Sequence, residues 1–499
     1  MAVTNTSGED SPPDPGDRAL PVGEGTELDR RIAPPEAAHP GQSGFRLVSE
    51  GPEAFTLRAH SARLAGCSLD VQTYIWHADL TGMYLAHRLL EAADRGVRVR
   101  LLVDDMDARA KNAGFAGLAA HPRIEVRMFN PLETRTGAFS RLLEIAGRFP
   151  RLNRRMHNKT WIADNRLAIV GGRNLGDEYF GADDEVNFFD LDFAMVGPVV
   201  REASASFDRY WNASMVRPME ELDPDAVSDE ALAGVRAILA EAATEEEASA
   251  YAAEIRGDDA VKQLVAGDWP MEWTDTWTFV SDDPAKVTRG SRDPDASRVI
   301  TELVEAAEGA RESLTVISPY FVPGRIGTRI LSRLVDAGRR VRVLTNSLVA
   351  NDVAAVHGGY MRYRKPLLEV GVDIWELKPL AAPRVPGHAF LTSGASLHTK
   401  ALTVDGECLF VGSYNLDPRS RFLNCEQGVV VVNPALARQL ESVFARRIES
   451  ACAWRVALAS GGRLQWTDGD RTCRREPDAS VGRRLQAWLA RMLPIEAQL

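Results

Sequence analysis

The chain carries the same order of secondary-structure signals twice, and this internal repeat constrains the fold more than any other feature. Residues 69–74 alternate as in a strand, residues 81–96 have helical periodicity, and residues 97–104 predict a second strand. The same three signals return at residues 314–318, 325–337 and 341–345. A strand–helix–strand unit with short links predicts parallel strands joined by a right-handed crossover.

Each half continues with a predicted hairpin and closes with a strand, a proline and a helix. The hairpins are predicted from apolar runs on either side of Asp164–Asn165 and Asp405–Gly406, which are typical turn pairs. The closing helices are predicted to begin at Pro198 and Pro434. The repeat therefore predicts an α/β fold of two duplicated lobes. Each lobe is a mixed β-sheet flanked by helices, and the lobes pack face to face around one active site.

Composition sets the expected domain boundaries within the 499 residues. The first 44 residues are rich in proline, glycine and acidic residues, which predicts a disordered tail. The region after the first lobe is acidic and rich in alanine, which predicts a solvated helical linker. The expected parts are a tail (1–44), a first lobe (45–215), a linker (216–270), a second lobe (271–465) and a C-terminal tail with an amphipathic helix (466–499).

Each predicted hairpin opens with a histidine and a lysine two residues apart, within an H-x-K-x-x-x-x-D pattern. Side chains two apart on a strand share a face, so each pair is expected to point the same way. A glycine-containing turn with an asparagine follows each pattern. The candidate catalytic residues are His157, Lys159 and Asp164 in the first half and His398, Lys400 and Asp405 in the second, and the candidate phosphate-binding residues are Asn174, Asn415 and Ser413.

This set of side chains suits phosphodiester transfer. One histidine can attack phosphorus and the other can give its proton to the leaving oxygen, while lysine and asparagine hold the non-bridging oxygens. Only seven of the 59 basic residues are lysines, yet both motifs carry one, which indicates that a compact ammonium is required there. No metal or cofactor is required by this chemistry, and no cysteine and histidine spacing typical of a metal site occurs.

The acidic residues divide into two expected roles. Asp164 and Asp405 occupy turns, where aspartate is favoured locally, so we expect them to support the motif rather than attack the substrate. Asp190 and Glu426 each lie eight residues before the proline of the closing helix and are the candidates to orient the histidines. Asp192, on the same predicted strand face as Asp190, is the alternative in the first half.

The two motifs and their surroundings resemble the phospholipase D superfamily, and within it the bacterial cardiolipin synthases of the C type. The similar segments are LDVQTYIWHADLTG (69–82), AADRGVRVRLLVDD (92–105), RMHNKTWIADNRLAIVGGRNLGDEYF (155–180), SPYFVPG (318–324) and LHTKALTVDGECLFVGSYNLDPRS (397–420). The resemblance implies a phosphatidyl-histidine intermediate, with His157 as nucleophile and His398 as general acid and base. Glycine at 172 replaces the serine found at 413, which removes one hydroxyl from the first half of the site.

The resemblance implies a phosphatidyltransferase that makes cardiolipin from phosphatidylglycerol, with or without phosphatidylethanolamine as a second substrate. The alternatives are a phospholipase D hydrolase that releases phosphatidic acid, a metal-independent nuclease and a non-catalytic lipid-binding scaffold. A net charge of −11 and the lack of a basic, aromatic stripe argue against nucleic acid as partner. With both motifs in one chain, a monomer is expected. The odd number of cysteines, five, favours reduced thiols and a cytoplasmic protein. With the lipid substrates that the resemblance implies, the expected location is peripheral, on the inner face of the cell membrane.

Two segments are candidates for contact with that membrane. Residues 135–159 contain seven basic residues and one acidic residue, interleaved with apolar ones. The second candidate, residues 481–493, has helical periodicity with Leu485, Trp488, Leu489 and Met492 on one face. A solvated helix and a packed core helix are the respective alternatives.

Overall fold

Two large mixed β-sheets, one in each half of the chain, form the framework of the described structure. The structure is a computed structural model and describes residues 18–108, 112–132, 152–267, 270–288, 297–381 and 394–493. The predicted α/β fold of two duplicated lobes is confirmed. In each sheet three parallel strands are extended on both sides by antiparallel strands.

The first sheet has the strand order β10-β1-β8-β6-β5-β2-β3-β4-β9. Its strands are β1 (Ser43–Val48), β2 (Ser68–Thr73), β3 (Arg98–Asp104), β4 (Ile124–Phe129), β5 (Thr160–Ala163), β6 (Leu167–Gly171), β8 (Asp192–Val196), β9 (Val216–Pro218) and β10 (Glu272–Thr274), while β7 (Val186–Phe189) lies outside it. Leu101 and Leu102 point to opposite faces of β3 and both are fully buried, so this strand is covered on both sides.

The second sheet has the strand order β11-β19-β18-β17-β12-β13-β14-β20-β21-β22. Its strands are β11 (Trp277–Ser281), β12 (Ser313–Ile317), β13 (Arg340–Asn346), β14 (Asp373–Leu377), β17 (Ala401–Val404), β18 (Cys408–Gly412), β19 (Gln427–Val432), β20 (Ala453–Leu458), β21 (Leu464–Thr467) and β22 (Thr472–Cys473). Two further strands, β15 (Leu380–Ala381) and β16 (Gly394–Leu397), form a small third sheet with β7. That sheet joins the halves, because β16 of the second half pairs in parallel with β7 of the first.

Helices connect the strands and cover the outer faces. The first half contains Glu27–Ala38, Gly51–Leu64, Leu80–Asp94, Asp105–Ala108, Asn112–Ala119, Asp177–Phe180, Pro198–Trp211, Met219–Leu222, Asp229–Ala248, Ala250–Gly257 and Asp259–Ala266. The second contains the 3-10 turn Pro284–Val287 and the helices Arg298–Glu308, Gly324–Asp336, Ala354–Tyr360, Arg364–Val370, Pro418–Phe422, Pro434–Arg447 and Val481–Met492. The two closing helices begin at proline as predicted, where the missing amide hydrogen costs nothing.

The lobes meet through a shared apolar core between the two sheets. Phe193 of the first sheet and Leu409 of the second belong to one buried cluster, together with residues of both closing helices. Each closing helix also reaches the opposite lobe: Pro198–Trp211 contacts β11, and Pro434–Arg447 contacts β1. Such an interface buries apolar surface from both halves and therefore fixes their relative orientation.

Several expected boundaries differ from the structure. Part of the expected N-terminal tail is folded, because Glu27–Ala38 is a helix whose Leu28 and Ile32 are buried and β1 begins at Ser43. The expected linker is not a solvated connection, since its helices pack against the first lobe through residues such as Leu239 and Leu264. The first sheet extends to β10, beyond the predicted limit of 215. The C-terminal region is likewise part of the second lobe through β21, β22 and the helix Val481–Met492.

Candidate active site

Both H-x-K segments lie at the junction of the lobes, each tied to the backbone of the opposite half. The amide of His157 donates to the carbonyl of Cys425 at 2.9 Å, and the amide of Cys425 donates to Arg155 at 2.8 Å. In the other motif the amide of His398 donates to the carbonyl of Phe189 at 2.8 Å. We predicted that the histidines start the hairpin strands. This was wrong, because β5 and β17 begin only after the lysines. The histidine segments instead hydrogen-bond to the backbone of the opposite lobe.

The imidazoles are paired with carboxylates that the two halves exchange. His157 Nδ1 lies 2.9 Å from Glu426 Oε2 in the second half, and His398 Nδ1 lies 2.6 Å from Asp190 Oδ2 in the first. Glu426 is 0% exposed and Asp190 is 2% exposed. A buried carboxylate on Nδ1 selects one tautomer and leaves Nε2 of each ring for chemistry.

Asp192, the alternative to Asp190, lies elsewhere. Its Oδ2 accepts from Arg58 at 3.0 Å and from Arg173 at 3.2 Å, all three side chains being buried. Asp192 therefore bridges two buried guanidinium groups and offsets part of their positive charge. The carboxylate that contacts His398 is Asp190.

Glu426 is held by a network that the sequence reasoning missed. Its Oε1 accepts from the hydroxyl of Ser420 at 2.9 Å, and its backbone amide donates to Asp282 Oδ2 at 3.1 Å. Asp282 in turn forms a buried ion pair with Lys286, at 2.6 Å. Lys286 is one of only seven lysines in the chain, and this scarcity could have indicated from the sequence that its ammonium group has a role.

Ser413 and its counterpart Gly172 differ for a structural reason. The hydroxyl of Ser413 donates to Glu426 Oε2, so it contacts the carboxylate that orients His157. A Cβ at Gly172 would lie 2.2 Å from Asp190 Oδ1. Asp190 thus fills the space beside residue 172, and only glycine leaves room for it.

Each motif lysine contacts the backbone of its own histidine, whereas the asparagines contact neighbouring polar groups. Lys159 Nζ donates to the carbonyl of His157 at 2.7 Å, and Lys400 Nζ donates to that of His398. Asn174 donates to the hydroxyl of Tyr179 at 2.7 Å. Asn415 is buried, and its backbone N–H donates to the hydroxyl of Ser420 at 3.3 Å. Both lysines are buried, so a bound phosphate would find two ammonium groups at low water content.

Aromatic rings flank both imidazoles and were assigned no role from the sequence. Tyr74 meets the ring of His157 edge-on, with the centroids 5.2 Å apart. Tyr179 meets His398 in the same way at 5.2 Å, and Phe188 stacks on His398 at 5.3 Å. These rings, together with the carboxylate at each Nδ1, restrict the rotation of both imidazole side chains.

Burial and the clustered cations set the pKa values of the site's histidines and lysines. Burial lowers the pKa of His157 to about 4, against the opposing effect of Glu426. Burial, Lys400 and Lys159 hold the pKa of His398 well below its usual range. Burial also lowers the pKa of Lys159 well below its usual range and that of Lys400 to about 8. The charge of His157 also contributes to the lowered pKa of His398. A phosphodiester anion between these groups would favour their protonated forms.

Asp164 and Asp405 lie at the far ends of β5 and β17 from the histidines. Asp164 accepts from the amides of residues 66, 67 and 68, and Asp405 from those of residues 311, 312 and 313, at 2.7–3.1 Å. Their φ angles of 53° and 55° are in the left-handed region of the turn. Both carboxylates fasten a hairpin to the start of a central strand.

Similarity to known proteins decides the family. A family model described as "Cardiolipin synthase, PLD-like domain" matches residues 60–211 and 303–448, one copy in each lobe. The chain is 40% identical to cardiolipin synthase C of Escherichia coli (strain K12) over 472 residues, which cover 93% of this chain and 98% of that protein. The chain belongs to the cardiolipin synthase family of the phospholipase D superfamily.

A more distant cardiolipin synthase and one solved structure are also similar to this chain. Cardiolipin synthase A of Pseudomonas syringae pv. syringae is 26% identical over 399 residues, covering 80% of this chain and 67% of that protein. The crystal structure of phosphatidylserine synthase from Haemophilus influenzae superimposes with a TM-score of 0.59 at 12% identity, over 91% of this chain and 94% of that one. This chain therefore shares the fold of that phosphatidylserine synthase.

Proposed function

We propose that the protein is a phosphatidyltransferase that makes cardiolipin from phosphatidylglycerol and a second phospholipid, through a phosphatidyl-histidine intermediate. The observation that carries the proposal is the pair of imidazoles, each held at Nδ1 by a buried carboxylate of the opposite half. Family membership narrows the reaction to phospholipid synthesis.

In the first half-reaction, His157 Nε2 attacks the phosphorus of the donor lipid. The bond from phosphorus to the headgroup oxygen breaks, and His398 gives that oxygen its Nε2 proton. Lys159 and Lys400 hold the two non-bridging oxygens as charge builds on them. In the second half-reaction, His398 takes the proton of an acceptor hydroxyl. That oxygen attacks phosphorus, and the bond to His157 breaks. No step requires a metal ion.

The acceptor hydroxyl is proposed to come from phosphatidylglycerol, and phosphatidylethanolamine is a further candidate substrate. The enzyme would meet these lipids as a monomer on the inner face of the cell membrane, from the cytoplasm. None of the described helices has the length and apolar character needed to cross a bilayer. Of the proposed lipid-contacting segment 135–159, residues 135–151 lie outside the described residues. Within its described end, Arg155 is buried in an ion pair with Asp104, at 2.8 Å.

Product analysis tests the proposed reaction. The full chain is incubated with phosphatidylglycerol vesicles, with and without phosphatidylethanolamine, and the lipids are measured by mass spectrometry. We expect cardiolipin, absent from His157→Ala protein. Phosphatidic acid as the sole product, in the presence of a primary alcohol as well, would instead identify a hydrolase.

The roles of the two histidines are tested with a phosphatidyl ester of p-nitrophenol, whose leaving group needs no proton. His398→Ala protein should then release p-nitrophenol in a burst and hold the lipid on His157, located by peptide mass spectrometry. His157→Ala protein should give no burst. Lipid found on residue 398 of the His157→Ala protein would reverse the assignment.

A further inference from the structure

The C-terminal helix Val481–Met492 presents its large apolar side chains to solvent. Leu485 is 53% exposed, Trp488 50%, Leu489 49% and Met492 66%. These positions recur every three or four residues and so form one face of the helix. Four large apolar side chains exposed together on one face of a helix mark a site of interaction.

The opposite face of the helix is fixed against the protein by small residues. Ala487 and Ala490 are buried against the helix Ala354–Tyr360, where a Cβ at Gly358 would meet the carbonyl of Ala487 at 2.5 Å. Most amphipathic helices bury their bulky apolar side chains in the core. This helix does the opposite, since its alanines face the protein and its tryptophan faces solvent. The helix cannot turn its apolar face inward, because the contact at residue 358 leaves no room for larger side chains.

Polar contacts tie both ends of the helix to the second lobe. Near its start, Arg483 Nε donates to the carbonyl of Leu348 at 2.8 Å, and the same guanidinium donates to the carbonyl of Asn351. At its end, Arg362 donates to the carbonyl of Leu493 at 2.7 Å. These contacts fix the helix Val481–Met492 to the second lobe.

Hydrogen bonds through one loop connect this helix to the segment that carries His398. The loop 347–353 that receives Arg483 follows β13, whose last residue, Asn346, exchanges two hydrogen bonds of 2.9 and 3.0 Å with the backbone of Leu397. Ser396 donates to the carbonyl of Ala350 in the same loop at 2.7 Å. Leu397 directly precedes His398, so one loop links the helix to the catalytic segment.

The charge around the helix indicates the occupant of its apolar face. Residues 474–493 contain five arginines (474, 475, 483, 484 and 491) and two acidic residues, in a chain whose net charge is −11. Of those two, Glu476 is buried on Arg364 at 2.5 Å and Asp478 lies 2.9 Å from Arg471. Apolar side chains bordered by arginine, with a tryptophan among them, match the interface of an anionic bilayer.

We propose that the helix Val481–Met492 inserts its apolar face into an anionic phospholipid surface and so presents the active site to lipid. This deepens the proposed function, on whose phospholipid substrate it rests. The proposed binding partner of this apolar face is a lipid surface, not a second copy of the chain or another protein.

Flotation of the full chain with vesicles tests this proposal. Wild-type protein should float with phosphatidylcholine vesicles that contain phosphatidylglycerol and bind pure phosphatidylcholine vesicles more weakly. The double variant Leu485→Ser, Trp488→Ser should bind the anionic vesicles roughly 100-fold more weakly, since each side chain contributes about one factor of ten or more. The matched control is Ile238→Ser, Val265→Ser, which removes two exposed apolar side chains elsewhere (58% and 42% exposed) and should bind as wild type.

Two results would overturn the proposal. One is wild-type vesicle binding by the Leu485→Ser, Trp488→Ser protein. The other is a lipid-free wild-type dimer that this variant converts to a monomer, which would make the face a protein interface. The variant should still hydrolyse or transfer the p-nitrophenyl ester dispersed in detergent at the wild-type rate, which also shows that it is folded. If the proposed function itself were wrong, catalysis would be absent in every protein while vesicle binding still separated the variants.

Discussion

Replacing Glu426 with glutamine tests whether the exchanged carboxylates control the histidines. The substitution keeps the shape of the side chain and removes its negative charge. His157 Nδ1, Ser413 and Ser420 all donate to this carboxylate, which is fully buried. A glutamine amide can still accept one of these bonds, so we expect the protein to fold.

The expected loss comes from two effects on His157. A hydrogen bond to a charged acceptor contributes about 1.5–3 kcal/mol, which corresponds to roughly 10- to 150-fold in rate. A glutamine NH₂ that turns toward Nδ1 would in addition favour the tautomer with its proton on Nε2, which cannot attack phosphorus. The corresponding change in serine proteases costs about 10⁴-fold. We therefore expect kcat to fall by roughly 10² to 10⁴ with little change in KM, because the phosphate-binding lysines are intact.

The assay measures initial rates of headgroup release from phosphatidylglycerol, with a pH profile. His157 must be neutral to attack, so kcat/KM should rise with pH through the low pKa of this group. Glu426 raises that pKa, and its neutralisation should move the acid limb to still lower pH.

Glu441→Gln is the matched control. It alters a carboxylate of the same lobe that is paired with Arg342 at 2.7 Å, and it should leave kcat unchanged. A Glu426→Gln enzyme with kcat within twofold of wild type would refute the orienting role. A fall in kcat without movement of the acid limb would indicate a structural defect instead.

Three further changes have expected outcomes. Gly172→Ser should lower kcat at least roughly 100-fold, because its Cβ would displace the carboxylate of Asp190 from His398, whereas Ser413→Gly, measured beside it, should cost less. Because Lys400 has a pKa of about 8 and its ammonium holds the substrate, kcat/KM for the p-nitrophenyl ester, whose leaving group needs no proton from His398, should fall as pH rises above that value; Lys400→Arg should lose this limb of the pH–rate profile. Asp405→Ala should lower the free energy of unfolding by roughly 2–4 kcal/mol, since three backbone amides lose their acceptor, with KM unchanged in lipid assays.

The repeat could be predicted from the sequence because each of its elements has a local signature. The helix Leu80–Asp94 was predicted within two residues, as were the hairpin turns at Asp164 and Asp405, where aspartate adopts a positive φ. These features depend on periodicity and turn chemistry, which neighbouring residues determine.

Features that depend on packing between distant segments were missed. The helix Glu27–Ala38 contains Pro34 and Pro35 and looks disordered by composition, but burial of Leu28 and Ile32 against the first lobe stabilises it. The spacing before the closing prolines identified Asp190 and Glu426 as equivalent. It could not indicate which histidine each one contacts, because that depends on how the lobes dock.

The His157–Glu426 and His398–Asp190 pairs differ chemically. The difference supports His157 as the nucleophile and His398 as the general acid and base. Burial would raise the pKa of Glu426, but His157, Lys159 and the Ser413 hydroxyl together hold it below its usual range. A carboxylate that stays ionised keeps the proton of His157 on Nδ1 and the lone pair of Nε2 free, as a nucleophile needs.

Burial raises the pKa of Asp190 despite Lys400 and Arg173, and its oxygen lies only 2.6 Å from His398. A carboxylate whose own affinity for protons is raised suits the ring that must gain and lose a proton in each cycle. Duplication thus produced two similar half-sites. The pairing of serine with glutamate in one and glycine with aspartate in the other makes the two imidazoles unequal.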